Sequence, residues 1–183
     1  MAGWLRRIAR SALSWETPGS WPALLRDGRT WLIGLTGAGL AVLLAGIARE
    51  GWAAGWDLFR VGAFRTGFSD LAVILAGFDC TRLGHDVQLE NPCDPFGQRP
   101  MNYPRIWLAL RASGLGLDDT VWLGTVLGAL FVLAALAFLC RRRLSPGEGV
   151  LGALILLSPS VLLGVERANG DLLLFLLVLG AAL

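Results

Sequence analysis

Residues 31–48 read WLIGLTGAGLAVLLAGIA, an uncharged run in which Thr36 is the one polar side chain. An α-helix needs about 17–25 predominantly apolar residues to cross a hydrocarbon core, because each residue advances it only about 1.5 Å. This run meets that length, and three more apolar runs follow it. VWLGTVLGALFVLAALAFLC (121–140) is also long enough to span. GVLGALILLSPSVLLGV (149–165) lies at the lower limit and carries Ser158, Pro159 and Ser160 inside it. A proline there costs a hydrogen bond that neighbouring membrane helices help to re-satisfy. LLLFLLVLGAAL (172–183) offers about 12 residues, too few to cross, so the natural protein is expected to continue beyond Leu183. The expected fold is an all-α membrane protein, a helical bundle of about four transmembrane segments with a large outer loop carrying interfacial helices.

Composition leads to the same class. Apolar residues make up 55% of the chain and charged residues 16%, and the mean hydropathy is +0.59. Soluble domains are nearer 45–50% apolar and about 25% charged. All basic residues are Arg, and a net charge of +2 without a basic stripe excludes a nucleic-acid partner. Trp31, Trp52, Trp56 and Trp122 flank the first two runs, as an interfacial aromatic belt would.

Arginine placement orients the chain. Arg6, Arg7, Arg10, Arg26 and Arg29 precede the first run, and Arg141, Arg142 and Arg143 follow the second. The positive-inside rule then makes residues 1–30 a cytoplasmic basic tail and residues 49–120 an extracytoplasmic loop, in a bacterial inner or plasma membrane. The first run exceeds a signal-peptide core and reads as an uncleaved anchor. Residues 4–10 of the tail suit a basic amphipathic helix on anionic lipid, or a disordered tail that only sets topology.

Inside the loop, Ser69 or Asp70 is placed to cap a short apolar helix through Phe78, lying in the interface or packed on the bundle. Pro104 opens a second helix to about Leu115. Ile106, Trp107, Leu110 and Leu117 would line one face of it, toward the membrane surface. Cys80 and Cys93 lie where disulfides persist. A bridge between them is the expected state, with unpaired thiols, or a metal site shared with His85, Asp86 and Asp94, as the alternatives. Cys140 is expected to be a free thiol.

Asp70 is the first candidate for chemistry, a carboxylate at a helix start near the membrane face that could take a proton from an attacking hydroxyl. Asp57 is the second. Tyr103 and Arg105 are candidate substrate-binding residues, since Arg pairs bidentately with phosphate or else snorkels to head groups. Glu166, Arg167, Asn169 and Asp171 put four polar groups into one turn between apolar runs, more than a helical hairpin requires.

Asp70 with its short helix, the segment Asn91-Pro92-Cys93-Asp94-Pro95-Phe96-Gly97, Asn102-Tyr103-Pro104, and the Glu166-Arg167-x-Asn169-x-Asp171 turn together carry a resemblance. They are similar to the N-terminal part of GT-C-type membrane glycosyltransferases, closest to the polyprenol-phosphate-mannose-dependent mannosyltransferase-like group. The resemblance covers residues 31–183. It implies transfer of a sugar, with mannose as one candidate, from a polyprenyl-phosphate donor to a lipid or glycan acceptor outside the cytoplasm. It also implies that the first-loop aspartate, here Asp70, is the base. No cofactor is implied, and a divalent cation stays open. The chain departs from the group in having Leu71, Ala72, Val73 and Ile74 where an aromatic residue often follows the aspartate. Two other classes compete: a non-catalytic scaffold with a disulfide-pinned loop, and a transporter-like bundle. The second is disfavoured because the spans hold almost no ionisable residue.

Overall fold

The computed structural model describes residues 21–64 and 67–182, and the basic stretch 4–10 lies outside them. Every regular element among the described residues is helical. A short helix α1 (Trp21–Arg26) leads into α2 (Gly28–Glu50), whose start is fixed by Asp27 accepting from the Arg29 N–H at 3.0 Å. Gly51 turns the chain with φ 90°, and α3 (Trp52–Asp57) folds back along α2. Helix α4 (Ser69–Arg82) follows, then two 3₁₀ segments, Arg105–Ser113 and Leu117–Asp119. Helices α5 (Thr120–Leu139), α6 (Pro146–Leu156), α7 (Pro159–Arg167) and α8 (Gly170–Ala182) complete the bundle.

Two helical stretches, Gly28–Glu50 and Leu117–Leu139, are long and apolar enough to cross a membrane. The α6–α7 pair adds a third if it counts as one span bent by 45° at its break. Among the described residues two or three candidate spans therefore stand where about four segments were expected, and α8 is a shorter apolar helix of 13 residues. The bend has a local cause. Ser158 accepts from the Val161 N–H at 3.4 Å, and Pro159 fills the first helical position, so the sequence starts a new helix instead of continuing the old one. Helix α6 begins with a reciprocal cap: Ser145 N–H donates to Glu148 at 2.8 Å and Glu148 N–H donates back at 3.3 Å.

Lipid gives apolar side chains no reason to prefer a helix neighbour over an acyl chain, so membrane helices associate largely through close packing at small residues. The bundle shows this at two crossings. Gly28 and Gly149 bring α2 and α6 into backbone contact, and the Gly28 N–H donates to the Leu144 carbonyl at 2.9 Å. Beneath that contact pack Leu32, Ala135, Leu144, Ala153 and Leu156. On α5, Gly124 and Gly128, one turn apart, receive the Phe68 ring and Val165. By contrast Leu44, Val121, Leu130, Leu133 and Phe138 point outward, where lipid would receive them.

The loop between the first two spans departs from its expected form in two ways, in its 3₁₀ segment and its tryptophans. Residues 71–78 of α4 are all buried, so of its two expected settings this helix takes the one packed on the bundle. The segment after Pro104 is a 3₁₀ helix, in which residues three apart share a face: Trp107 and Leu110 both line an apolar cleft, Trp107 against Gly170, while Ile106 is exposed. Trp56 is buried, and Trp52 is hydrogen-bonded internally, so neither belongs to a belt. Trp122 stays half-exposed, its indole donating to Asp119 at 2.7 Å. Cys80 and Cys93 form the expected disulfide with a Cα–Cα distance of 5.7 Å, which removes both thiols from any metal site, and Cys140 is free.

Backbone contact at the α2–α6 crossing leaves no room for a methyl group. Gly149→Ala is expected to lower stability by about 1–3 kcal/mol through overpacking. Gly147→Ala, which meets nothing within 4 Å, should change it by less than about 0.5 kcal/mol. Thermal unfolding of both variants in one detergent checks this, and equal melting temperatures would refute the contact.

Candidate functional site

The N-terminal end of α4 is built around an unusual residue. Phe68, not Ser69 or Asp70, occupies the cap position, in the left-handed region at φ 47° and without a side-chain cap. The expected Ser/Asp cap is therefore corrected. A bulky side chain adopts such a backbone only where its surroundings over-determine it, and such strain collects at functional sites. Here the surroundings are explicit. The Phe68 N–H donates to the Glu166 carbonyl at 2.9 Å, its carbonyl accepts from Ala72 at 2.9 Å, and its ring lies edge-on to Trp52 at 5.0 Å. The first loop is thereby tied to the turn that ends α7.

That tie brings Asp70 beside the turn. Tyr103 donates a hydrogen bond to the Asp70 carboxylate, and the charges of Arg167, Arg99 and Asp171 all bear on it. Burial is the largest influence on Asp70 and holds its carboxyl above the usual aspartate value, outweighing Arg167 and the Tyr103 hydroxyl. Tyr103 is pushed upward as well, first by burial and then by the Asp70 charge. Asp70 is thus a half-buried carboxylate of raised basicity with a fixed hydroxyl partner.

Two guanidinium groups flank it. Arg99 lies 5.3 Å from the Phe96 ring centroid, and Arg167 lies 5.8 Å from that of Phe64. The two rings pack on each other at 5.3 Å, so an aromatic pair stands between the two cations. Arg99 also pairs with the buried Asp94 at 3.1 Å. Burial alone would raise the Asp94 carboxyl, but hydrogen bonds from the Arg99 side chain and backbone together hold it below the ordinary value. The Arg167 Nε is buried with no hydrogen-bond partner among the described residues. Glu166 is fully buried. One of its oxygens accepts from the Trp52 indole at 3.2 Å, and the other has no side-chain hydrogen-bond partner among the described residues.

Next to this polar cluster lies an apolar cleft of about 220 Å³. Leu71, Ile74 and Phe78 of α4, Trp107, and Leu123 and Leu127 of α5 line it. Ile74 is four residues from Asp70, one turn along the same face. Leu71 and Ala168 of the lining are the chain neighbours of Asp70 and Arg167, so the apolar cleft adjoins the polar cluster.

The candidates read from the sequence divide cleanly. Asp70, Tyr103, Glu166, Arg167 and Asp171 come together. Asn169 serves as a helix cap, accepting from the Asp171 N–H at 3.1 Å. Arg105 is not brought to the cluster: it bonds Gln88 at 2.7 Å and Asp86 at 3.3 Å on the exposed side of the loop. Asp57 ends α3 with an exposed side chain and no hydrogen bond or ion pair to the cluster. The reading from sequence missed Arg99, Phe64 and the Trp52–Glu166 bond, and it had Asp94 only as a possible metal ligand and Phe96 only as part of the segment 91–97. The one available signal was Asp94 and Arg99 facing each other across the Pro95-Phe96-Gly97 turn. No protein-family model, curated protein or solved structure matches this chain.

Because the Asp70 carboxyl is raised in the fold, the folded protein binds its proton more tightly than the unfolded chain does. Stability is therefore lost as pH climbs from the ordinary value of 3.8 through the raised one. Asn removes that ionisation and keeps an acceptor for Tyr103. Asp70→Asn should melt higher than the wild type at neutral pH, and the gap should close below 3.8. A variant that melts lower than the wild type at neutral pH would show that the ionised carboxylate stabilises the fold.

Proposed function

We propose that this chain is the N-terminal portion of a GT-C-type membrane glycosyltransferase that moves a sugar, with mannose as one candidate, from a polyprenyl-phosphate donor to a lipid or glycan acceptor. The observation that carries the reading is the Asp70–Tyr103 pair, with Arg99 and Arg167 bearing on it, next to an apolar cleft. A polyprenyl donor needs three things at once: an apolar track for the chain, cations for the phosphate and a base for the acceptor. The loop and the α7–α8 turn supply the cations and the base, and α4, Trp107 and α5 line the apolar track beside them.

In this reading the apolar cleft takes the prenyl chain nearest the phosphate. Arg99 and Arg167 bear on the phosphate, where their charge offsets what accumulates as it leaves. The acceptor hydroxyl oxygen attacks the anomeric carbon, and the bond from that carbon to the phosphate oxygen breaks with its electron pair. Asp70 takes the hydroxyl proton. A carboxyl of raised basicity suits that task better than an ordinary solvated one. Tyr103 keeps Asp70 in place. The loop holding the site faces the cell exterior or periplasm, and Arg141–Arg143 face the cytoplasm.

Asp70→Asn in the complete reading frame should cut sugar transfer from a polyprenyl-phosphate donor by about 10²–10⁴-fold. Purified protein in nanodiscs, matched for folding, measures this, and near wild-type turnover would remove Asp70 as the base. Orientation is tested separately. A cysteine placed at the exposed Leu89 in a Cys140→Ser background should react with an impermeant maleimide in intact cells. Reaction only after lysis would reverse the topology.

A further inference from the structure

Arg99 is held differently from Arg167. Its backbone N–H and its Nε both donate to one Asp94 oxygen, at 3.0 and 3.1 Å, and its Nη2 reaches the other at 3.4 Å. The Asp94 side chain is fully buried, whereas that of Arg99 is 55% exposed. The carboxylate is therefore the anchor, and the guanidinium keeps an open face. The Arg99 guanidinium lies over the Phe96 ring at 5.3 Å, and that ring packs at a tilt on Phe64.

The anchor is itself fastened. Asp94 follows Cys93, which is bonded to Cys80 of α4, the helix that carries Asp70. The Cys93 N–H points at the Cys80 sulfur at 3.1 Å, and the Asp94 N–H donates to the Asn91 carbonyl at 3.0 Å. Segment 91–99 is thus a strap stapled to the helix of Asp70, with Arg99 at its free end. From there the Arg99 charge acts on both Asp70 and Tyr103.

An arginine beside two carboxylates has a choice of partner. If Asp94 were absent, the flexible Arg99 side chain would have Asp70 as a nearby carboxylate to close upon, and its charge would be spent on that contact. With Asp94 present, the guanidinium is already ordered and stands beside Asp70 without closing on it. Less rotamer entropy is then lost when an anion binds.

We propose that Asp94 is a positioning residue which, together with the Cys80–Cys93 bridge, holds Arg99 open to an anionic head group beside Asp70 and Tyr103. The inference rests on the polyprenyl-phosphate reading above and adds that anion binding depends on the oxidised loop. Reduction of the bridge frees the strap, and Arg99 leaves the site with it.

The test uses the whole chain in detergent micelles, with farnesyl phosphate and farnesol as probes and tryptophan fluorescence as readout, Trp107 being in the cleft. Wild type should bind farnesyl phosphate more tightly than farnesol. Asp94→Asn should weaken farnesyl phosphate about tenfold, the loss of one well-placed charge contact, and leave farnesol within about twofold. Arg99→Gln, which keeps a side-chain donor for the buried Asp94 carboxylate but no charge, should give the same selective loss in protein whose melting temperature shows it folded. The double variant should lose no more than either single one. Reduction of the bridge, verified by mass, should reproduce the effect. Additive losses, equal losses for both probes, or an Asp94→Asn variant that binds like wild type would overturn the positioning role alone. Wild-type protein with no preference for the phosphate would overturn it together with the donor reading.

Discussion

The amide of Phe68 donates to the carbonyl of Glu166 at 2.9 Å, and the candidate site hangs from that bond. It joins the start of α4 to the end of α7, two points far apart in the chain. Asp70 lies two residues beyond one end, and Arg167 is the neighbour of the other. The backbone conformation that permits the bond is strained, and Gly124 makes it feasible by leaving room for the Phe68 ring against α5. A side chain at Gly124 would push that ring away and break the geometry at its root.

Around this bond the fold gathers more negative charge than it neutralises. Asp70, Glu166 and Asp171 lie near one another, with Arg167 and Arg99 as the cations bearing on Asp70. Burying carboxylates in this way costs stability, and at Asp70 the cost shows as a proton held more tightly. Asp94 is the opposite case. Its carboxylate is fully buried yet well matched to Arg99, so it stays ionised and acts as a structural anchor. Two aspartates in one loop thus have opposite characters, set by whether an arginine is bonded to them or only nearby.

Much of the membrane architecture is legible in the sequence because it depends on local quantities. The length of an apolar run decides whether it can span, and the runs at 31–48 and 121–140 become long helices. Ser158 and Pro159 mark the break between α6 and α7 by ordinary capping chemistry. The Cys80–Cys93 pair was readable from its setting. Where reading fell short, the cause was long-range. Asp70 looks like a cap because Ser-Asp before an apolar stretch usually is one; only contact with Glu166 moves the cap to Phe68. Arg105 looks like a phosphate ligand by type, yet Asp86 and Gln88 compete for it, and Arg99 takes the place beside Asp70.

By itself, then, the sequence determined the class of protein, the positions of its apolar helices, the bridge in its loop, and a short set of ionisable residues that includes Asp70, Tyr103, Glu166 and Arg167. Hydropathy, chain length and capping chemistry are properties of neighbouring residues, so they can be read along the chain. The tertiary structure alone decided which of those residues meet, that α4 is buried, that Arg105 turns to Asp86 and Gln88, and that an apolar cleft adjoins the polar cluster. Those outcomes depend on glycine-mediated close approach and on one backbone hydrogen bond across the bundle. Such contacts leave no local mark in a sequence, because each half is unremarkable until the other is placed against it.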